Sequence, residues 1–122
     1  MAELSGTLSS TLLSASTDGR PIAVAATSSP GTTIHTATAD VGSERDQIDI
    51  YASNIDSVSR TLTLQWGGTT TADQIGPITL AANSGDVLIV VNKPLQNNLI
   101  IKAYASAANI VNVTGNVRRL TL

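Results

Sequence analysis

The chain has no cysteine and no phenylalanine, a single histidine, one tryptophan and two tyrosines among its 122 residues. Without cysteine there is neither a disulfide scaffold nor a thiolate metal site. With so few aromatics, the core has to be built from aliphatic side chains. Charge is sparse as well: Asp, Glu, Lys and Arg make up 13% of the chain, about half the usual share. The formal net charge is −2 and no basic block occurs. That excludes the clustered phosphate neutralisation on which non-specific nucleic-acid binding depends. The longest apolar run, Val87-Leu88-Ile89-Val90-Val91, falls far short of the roughly 20 residues of a spanning helix, so no membrane partner is expected. The opening residues lack a basic stretch followed by an apolar one, so no signal peptide is expected either.

What is present is alternation. Aliphatic residues recur at every second position between Ser, Thr, Asn and Asp, as in Ile48-Asp49-Ile50 and Leu62-Thr63-Leu64-Gln65-Trp66. A period of two describes a half-buried strand. Turn signals such as Asp18-Gly19, Ser29-Pro30-Gly31, Asn83-Ser84-Gly85-Asp86 and Asn97-Asn98 divide these runs. About eight strands result, at the spacing of sandwiches and jelly rolls. The expected fold is all-β: one antiparallel, jelly-roll-like sandwich over residues 19–122, preceded by an N-terminal arm over 1–18. That arm is Ser/Thr-rich and carries Leu4, Leu8, Leu12 and Leu13. It reads as an extended arm or an edge strand, with a short helix as the lesser reading. It either grips a partner or folds back over its own core.

Several positions carry specific expectations. Pro77, which cannot donate to a ladder, places its strand at an edge or a bulge. Asp40 to Asp46 reads as a charged loop, and Lys93-Pro94 as part of a turn. Val87 to Val91 is apolar on both faces, so it needs cover from its own core and from a second layer. Val87, Ile89 and Val91 are therefore candidate contacts of an oligomer seam. Leu120 and Leu122 fall out of phase with Val113 and Val117, which predicts a bulge near Arg118-Arg119.

No catalytic constellation stands out. His35 would have to serve any triad alone, and a hydrogen-bonded histidine is the simpler reading. No nucleophile elbow, phosphate-binding loop or His-Glu-x-x-His pair occurs. The carboxylates Asp40, Glu44, Asp46 and Asp49 do not match a calcium-loop spacing, and Arg45 lies among them. No enzymatic activity, metal or cofactor is expected. Trp66 is inward by alternation. Tyr51 and Tyr104 are outward and could together form a small recognition patch. Arg118 and Arg119 read as surface charge or as partners for a neighbour's carboxylates.

From about Ile34 onward the chain resembles small β-sandwich proteins of tailed-bacteriophage virions, the decoration (cement) and head structural proteins. The stretches that carry the likeness are Ile34-His35-Thr36-Ala37-Thr38, Ile48-Asp49-Ile50-Tyr51-Ala52-Ser53-Asn54, Leu62-Thr63-Leu64-Gln65-Trp66-Gly67-Gly68-Thr69-Thr70, Pro94-Leu95-Gln96-Asn97-Asn98 and Ala108-Asn109-Ile110-Val111-Asn112-Val113-Thr114-Gly115. The resemblance implies a homotrimer on the capsid surface of the virion, made in the host cytoplasm and bound to the major capsid protein. It supplies a class and no matched site. A neck, tail or head-fibre component and a carbohydrate-binding module are the alternatives.

Overall fold

The computed structural model describes residues 6–122, which form two antiparallel sheets packed as a sandwich. Nine strands follow in chain order: β1 (Thr7–Thr11), β2 (Ile22–Ala23), β3 (Thr32–Thr36), β4 (Glu44–Asn54), β5 (Arg60–Trp66), β6 (Gln74–Leu80), β7 (Val87–Leu95), β8 (Ile100–Ala105) and β9 (Val111–Thr121). The first sheet has the order β1-β9-β4-β7, with β2 also paired to β9; the second has the order β3-β8-β5-β6. The chain therefore crosses between sheets after β2, β3, β4, β6, β7 and β8.

Alternation decides what faces inward. Ile48, Ile50 and Ala52 of β4, Leu62 and Leu64 of β5, Ile101, Ala103 and Ala105 of β8, and Val111, Val113 and Val117 of β9 form the buried core. Trp66 is half-buried and packs against the edge of that cluster. Its indole N–H donates to the Pro94 carbonyl at 3.2 Å, and Lys93 Nζ lies 5.9 Å from the ring centroid. The buried apolar cluster is thus entirely aliphatic, as the lack of aromatics requires.

The turn chemistry appears where Asn, Asp and Gly predict it. Asn97 and Asn98 both take positive φ, 62° and 59°, and the Leu99 N–H closes the turn on the Gln96 carbonyl. At Gly115, β9 crosses so near β4 that an added Cβ would lie 2.0 Å from the Asp49 carbonyl oxygen. No side chain fits there, which is why β9 carries a glycine mid-strand. Pro77 lies in β6, the edge of the second sheet, beside a register shift between Leu62 and Leu64.

Four expectations need correction. The segment before Asp18 is not wholly an arm: Thr7–Thr11 pairs with β9 as an edge strand, and Leu13 is a core residue at 1% exposure. Edge pairing, one of the open readings, is what Thr7 to Thr11 adopts. The loop expected at Asp40–Asp46 ends at Ser43, because Glu44, Arg45 and Asp46 continue β4 against Thr121, Leu120 and Arg119. Lys93-Pro94 does not turn the chain; it lies within β7, where Asn92 at φ 54° absorbs an irregularity. An edge strand tolerates the missing proline donor.

The bulge expected near Arg118-Arg119 is absent. β9 keeps an unbroken register with β4 from Val111 to Thr121 and with β1 from Val117 to Thr121. Arg119 occupies the inward phase instead, and Leu120 faces outward opposite Leu8. An arginine is tolerated on the inner face because Asp46 neutralises it there.

Candidate functional site

The single histidine, the buried aspartate of β4 and the inward arginine of β9 meet at one end of the sandwich. Asp46 is fully buried and His35 is 1% exposed. Arg119 Nε donates to Asp46 Oδ1 at 2.7 Å, and Nη2 donates to Oδ2 at 3.0 Å. His35 Nε2 lies 2.8 Å from Asp46 Oδ2, and the Thr38 N–H donates to the same oxygen at 3.1 Å. Thr38 Oγ1 and Thr121 Oγ1 both donate to Glu44, whose carboxylate lies 4.0 Å from Arg119 Nε. Burial alone would push the Asp46 carboxyl up. The hydrogen bonds from Arg119 and His35 outweigh it and hold the group below the usual carboxylate range. Arg119 is correspondingly held above its ordinary value, chiefly by its hydrogen bond to Asp46.

His35 and Asp46 have the separation of a base and its orienting carboxylate, but the imidazole has no free nitrogen. Nδ1 accepts the Ser14 backbone N–H at 2.9 Å. A main-chain N–H can only donate, so Nδ1 is unprotonated and Nε2 carries the hydrogen donated to Asp46. The cluster therefore joins three elements by hydrogen bonds and presents no nucleophile to a substrate.

A second ion pair lies on the outer face of the first sheet. Arg118 donates to both oxygens of Asp49, Nη1 to Oδ2 at 2.8 Å and Nη2 to Oδ1 at 3.0 Å, and Nη2 also reaches Asn92 Oδ1 at 3.1 Å. The Asn92 N–H donates to Asp49 Oδ1 at 2.7 Å. The Arg118 hydrogen bond, more than any other influence, keeps the Asp49 carboxyl below its ordinary value. Arg118 and Arg119 are thus both paired with carboxylates of their own chain, Arg118 on the surface and Arg119 on the inner face, which corrects the surface reading for Arg119 alone. Of the four acidic residues grouped by sequence, Asp46 and Asp49 point to opposite faces of β4. No three His, Asp or Glu residues converge to hold a metal among the described residues.

Exposed apolar side chains lie along β7 and near β1, and also outside the strands at Val41, Ile55, Val58, Leu99 and Leu122. Val87, Leu88 and Val91 are 38%, 49% and 64% exposed, while Ile89 is half-buried and Val90 enters the core. The register shifts around Ile50 put Val90 opposite it, so the exposed members are not the expected Val87, Ile89 and Val91 but Val87, Leu88 and Val91. Leu8 and Leu12 are exposed on and just after β1. Leu13, in the core, leaves the set of contact candidates, and Leu4 lies outside the described residues.

Tyr51 and Tyr104 do not form one patch. Tyr51 is on β4 of the first sheet and Tyr104 on β8 of the second, each on the outer face opposite to the core. The Tyr104 hydroxyl accepts from Gln74 Nε2 at 3.2 Å. A shallow cleft of about 350 Å³ lies between Arg45, Pro94, Leu95, Gln96 and Leu99, and carries no cluster of converging polar groups. No helix among the described residues is long and apolar enough to cross a membrane. Compared with known proteins, the chain matches no family model, no curated protein and no solved structure.

Proposed function

We propose that this chain is a non-catalytic structural protein that binds copies of a shell-forming protein, as a capsid decoration protein of a tailed bacteriophage does. The observation that carries the reading is the β7 edge, unpaired among the described residues, with Val87, Leu88 and Val91 open to solvent beside an ion pair that is already internally satisfied. An exposed apolar edge strand is a site for association. With few charges around it, contact there is governed by apolar burial and main-chain hydrogen bonds, which salt screens little.

The strand order supports the same reading. We take β1 and β2 together as one interrupted strand along the outer edge of β9, since β4 occupies the other edge. The two sheets then have the wiring of two Greek keys, a jelly roll, an architecture that viral shell proteins use. Three copies joined through β7 form the trimer, and repeated weak contacts with a shell accumulate into high avidity.

Electron microscopy of the particle that contains this chain tests the proposal. Copies in the hundreds on the shell surface are expected, whereas about six to twelve at a single vertex would assign a neck or tail station instead. Light scattering of the purified protein is expected to return three times the chain mass. A particle lacking this chain altogether, or a monomer that does not bind shells, would overturn the reading.

A further inference from the structure

We propose that His35 is a proton-operated clasp that holds the N-terminal strand against the sandwich. The segment after β1 leaves the first sheet and crosses to β3 of the second. Three hydrogen bonds fasten it there: Ser14 N–H to His35 Nδ1 at 2.9 Å, Thr36 N–H to Ser14 Oγ at 2.7 Å, and Ala15 N–H to the Ile34 carbonyl at 3.2 Å. Leu13, between β1 and the clasp, is inserted in the core. One of the three fasteners depends on an imidazole nitrogen that must stay unprotonated.

Proton uptake converts Nδ1 from acceptor to donor and sets it against the Ser14 N–H, two donors facing one another. Either the imidazole or Ser14 has to move. The imidazole is the better held. On β4, Asp46 binds Nε2 and is itself gripped by Arg119 of β9; Glu44 lies beside that arginine. On β8, the register partner of His35 is the uncharged Ile101. Two carboxylates against one guanidinium leave a negative balance, so an imidazolium keeps its Asp46 bond and is accommodated electrostatically. Ser14 yields. Among the described residues its segment is tied by the two remaining hydrogen bonds, Leu13 and the β1 ladder, and detachment of β1 frees the β9 edge from Val117 to Thr121. Acidification supplies that proton, so the clasp opens toward lower pH. This clasp does not depend on what β7 binds.

Amide hydrogen exchange followed by NMR on the intact protein tests it. Between about pH 7.5 and about pH 5, protection of the Ser14, Ala15 and Thr36 amides, corrected for intrinsic exchange, is expected to fall about tenfold or more, while β4 and β5 amides hold. His35→Gln removes the titrating ring, and its Ser14 region is expected to lose that pH dependence. Imidazole nitrogen shifts of the unaltered protein give a second readout that needs no variant. The neutral ring is expected to carry its hydrogen on Nε2, with the Ser14 amide shift moving in step with protonation. A neutral ring protonated at Nδ1, or Ser14 protection that stays constant while the ring titrates, would overturn the clasp.

Discussion

Arg119 is worth more by its position than by its charge. Its guanidinium sits on the inner face of β9 with both nearer nitrogens on Asp46, a carboxylate with no solvent to fall back on. Removing one partner of a fully buried pair costs about 3–5 kcal/mol; here Arg119 is one third exposed and Asp46 keeps His35 and the Thr38 N–H, which sets that range as the upper bound. Arg119→Met is therefore expected to lower the urea unfolding free energy by no more than that amount, whereas an ordinary surface substitution changes it by less than about 0.5 kcal/mol. Leu13→Ala, made in a segment that reads from sequence as a detachable arm, is expected to cost about 2–5 kcal/mol by leaving a core cavity. A loss below about 1 kcal/mol in either variant would show that the side chain is not held as described. Neither role was legible in the sequence. Asp46 and Arg119 are 73 positions apart, and the arginine replaces the apolar residue that alternation demands at its phase. Leu13 is one of four leucines in a Ser/Thr-rich stretch, and nothing local separates the buried one from the exposed Leu8 and Leu12.

Strands whose two faces differ clearly were readable, and strands that depend on a partner at long range were not. β5 alternates through Leu62, Leu64 and Trp66 and lies where the pattern places it, and Pro77 marks a true edge. β4 begins three residues before the apolar alternation does, because Glu44, Arg45 and Asp46 look like a loop until β9 lies beside them. β7 shows the opposite difficulty: five consecutive apolar residues carry no phase, and only the irregularity closed by Asn92 and Asp49 selects Val90 as the inward one. That selection gives a sharp expectation. Leu88→Lys and Val91→Lys are expected to leave the thermal midpoint within a few degrees of the unaltered protein, since surface changes move stability by less than about 0.5 kcal/mol. The same changes are expected to convert the proposed trimer to monomer on light scattering, as charge on an edge strand blocks pairing. Val90→Lys is expected to unfold the chain. Lysine variants at 88 and 91 that still associate normally would remove β7 from the interface.

Alongside Asp56, which the Arg60 hydrogen bond holds low, the two aspartates of β4 shape the behaviour of the whole molecule in acid. Both are held below the ordinary carboxylate range, Asp49 chiefly by Arg118, and Asp46 by Arg119 and His35 against the cost of burial. A carboxyl with a depressed folded-state value adds stability that is fully present above its unfolded value, about 3.9, and lost as pH falls through the folded one. The arginines, held above their ordinary value, lose their contribution only in strong alkali. Stability from these pairs is thus level through neutrality and declines below about pH 4. Asp49→Asn isolates the effect, because Asp49 lies on the outer face, away from the His35 cluster, and well-separated sites add independently. Any proton uptake by His35 then cancels when the variant is subtracted from the unaltered protein. The difference in unfolding free energy is expected to be about 1–3 kcal/mol, constant from pH 8 to about pH 5, and to shrink toward zero as Asp49 itself is protonated below that. A difference that instead grew on acidification would mean that the Arg118 pair opposes the folded state.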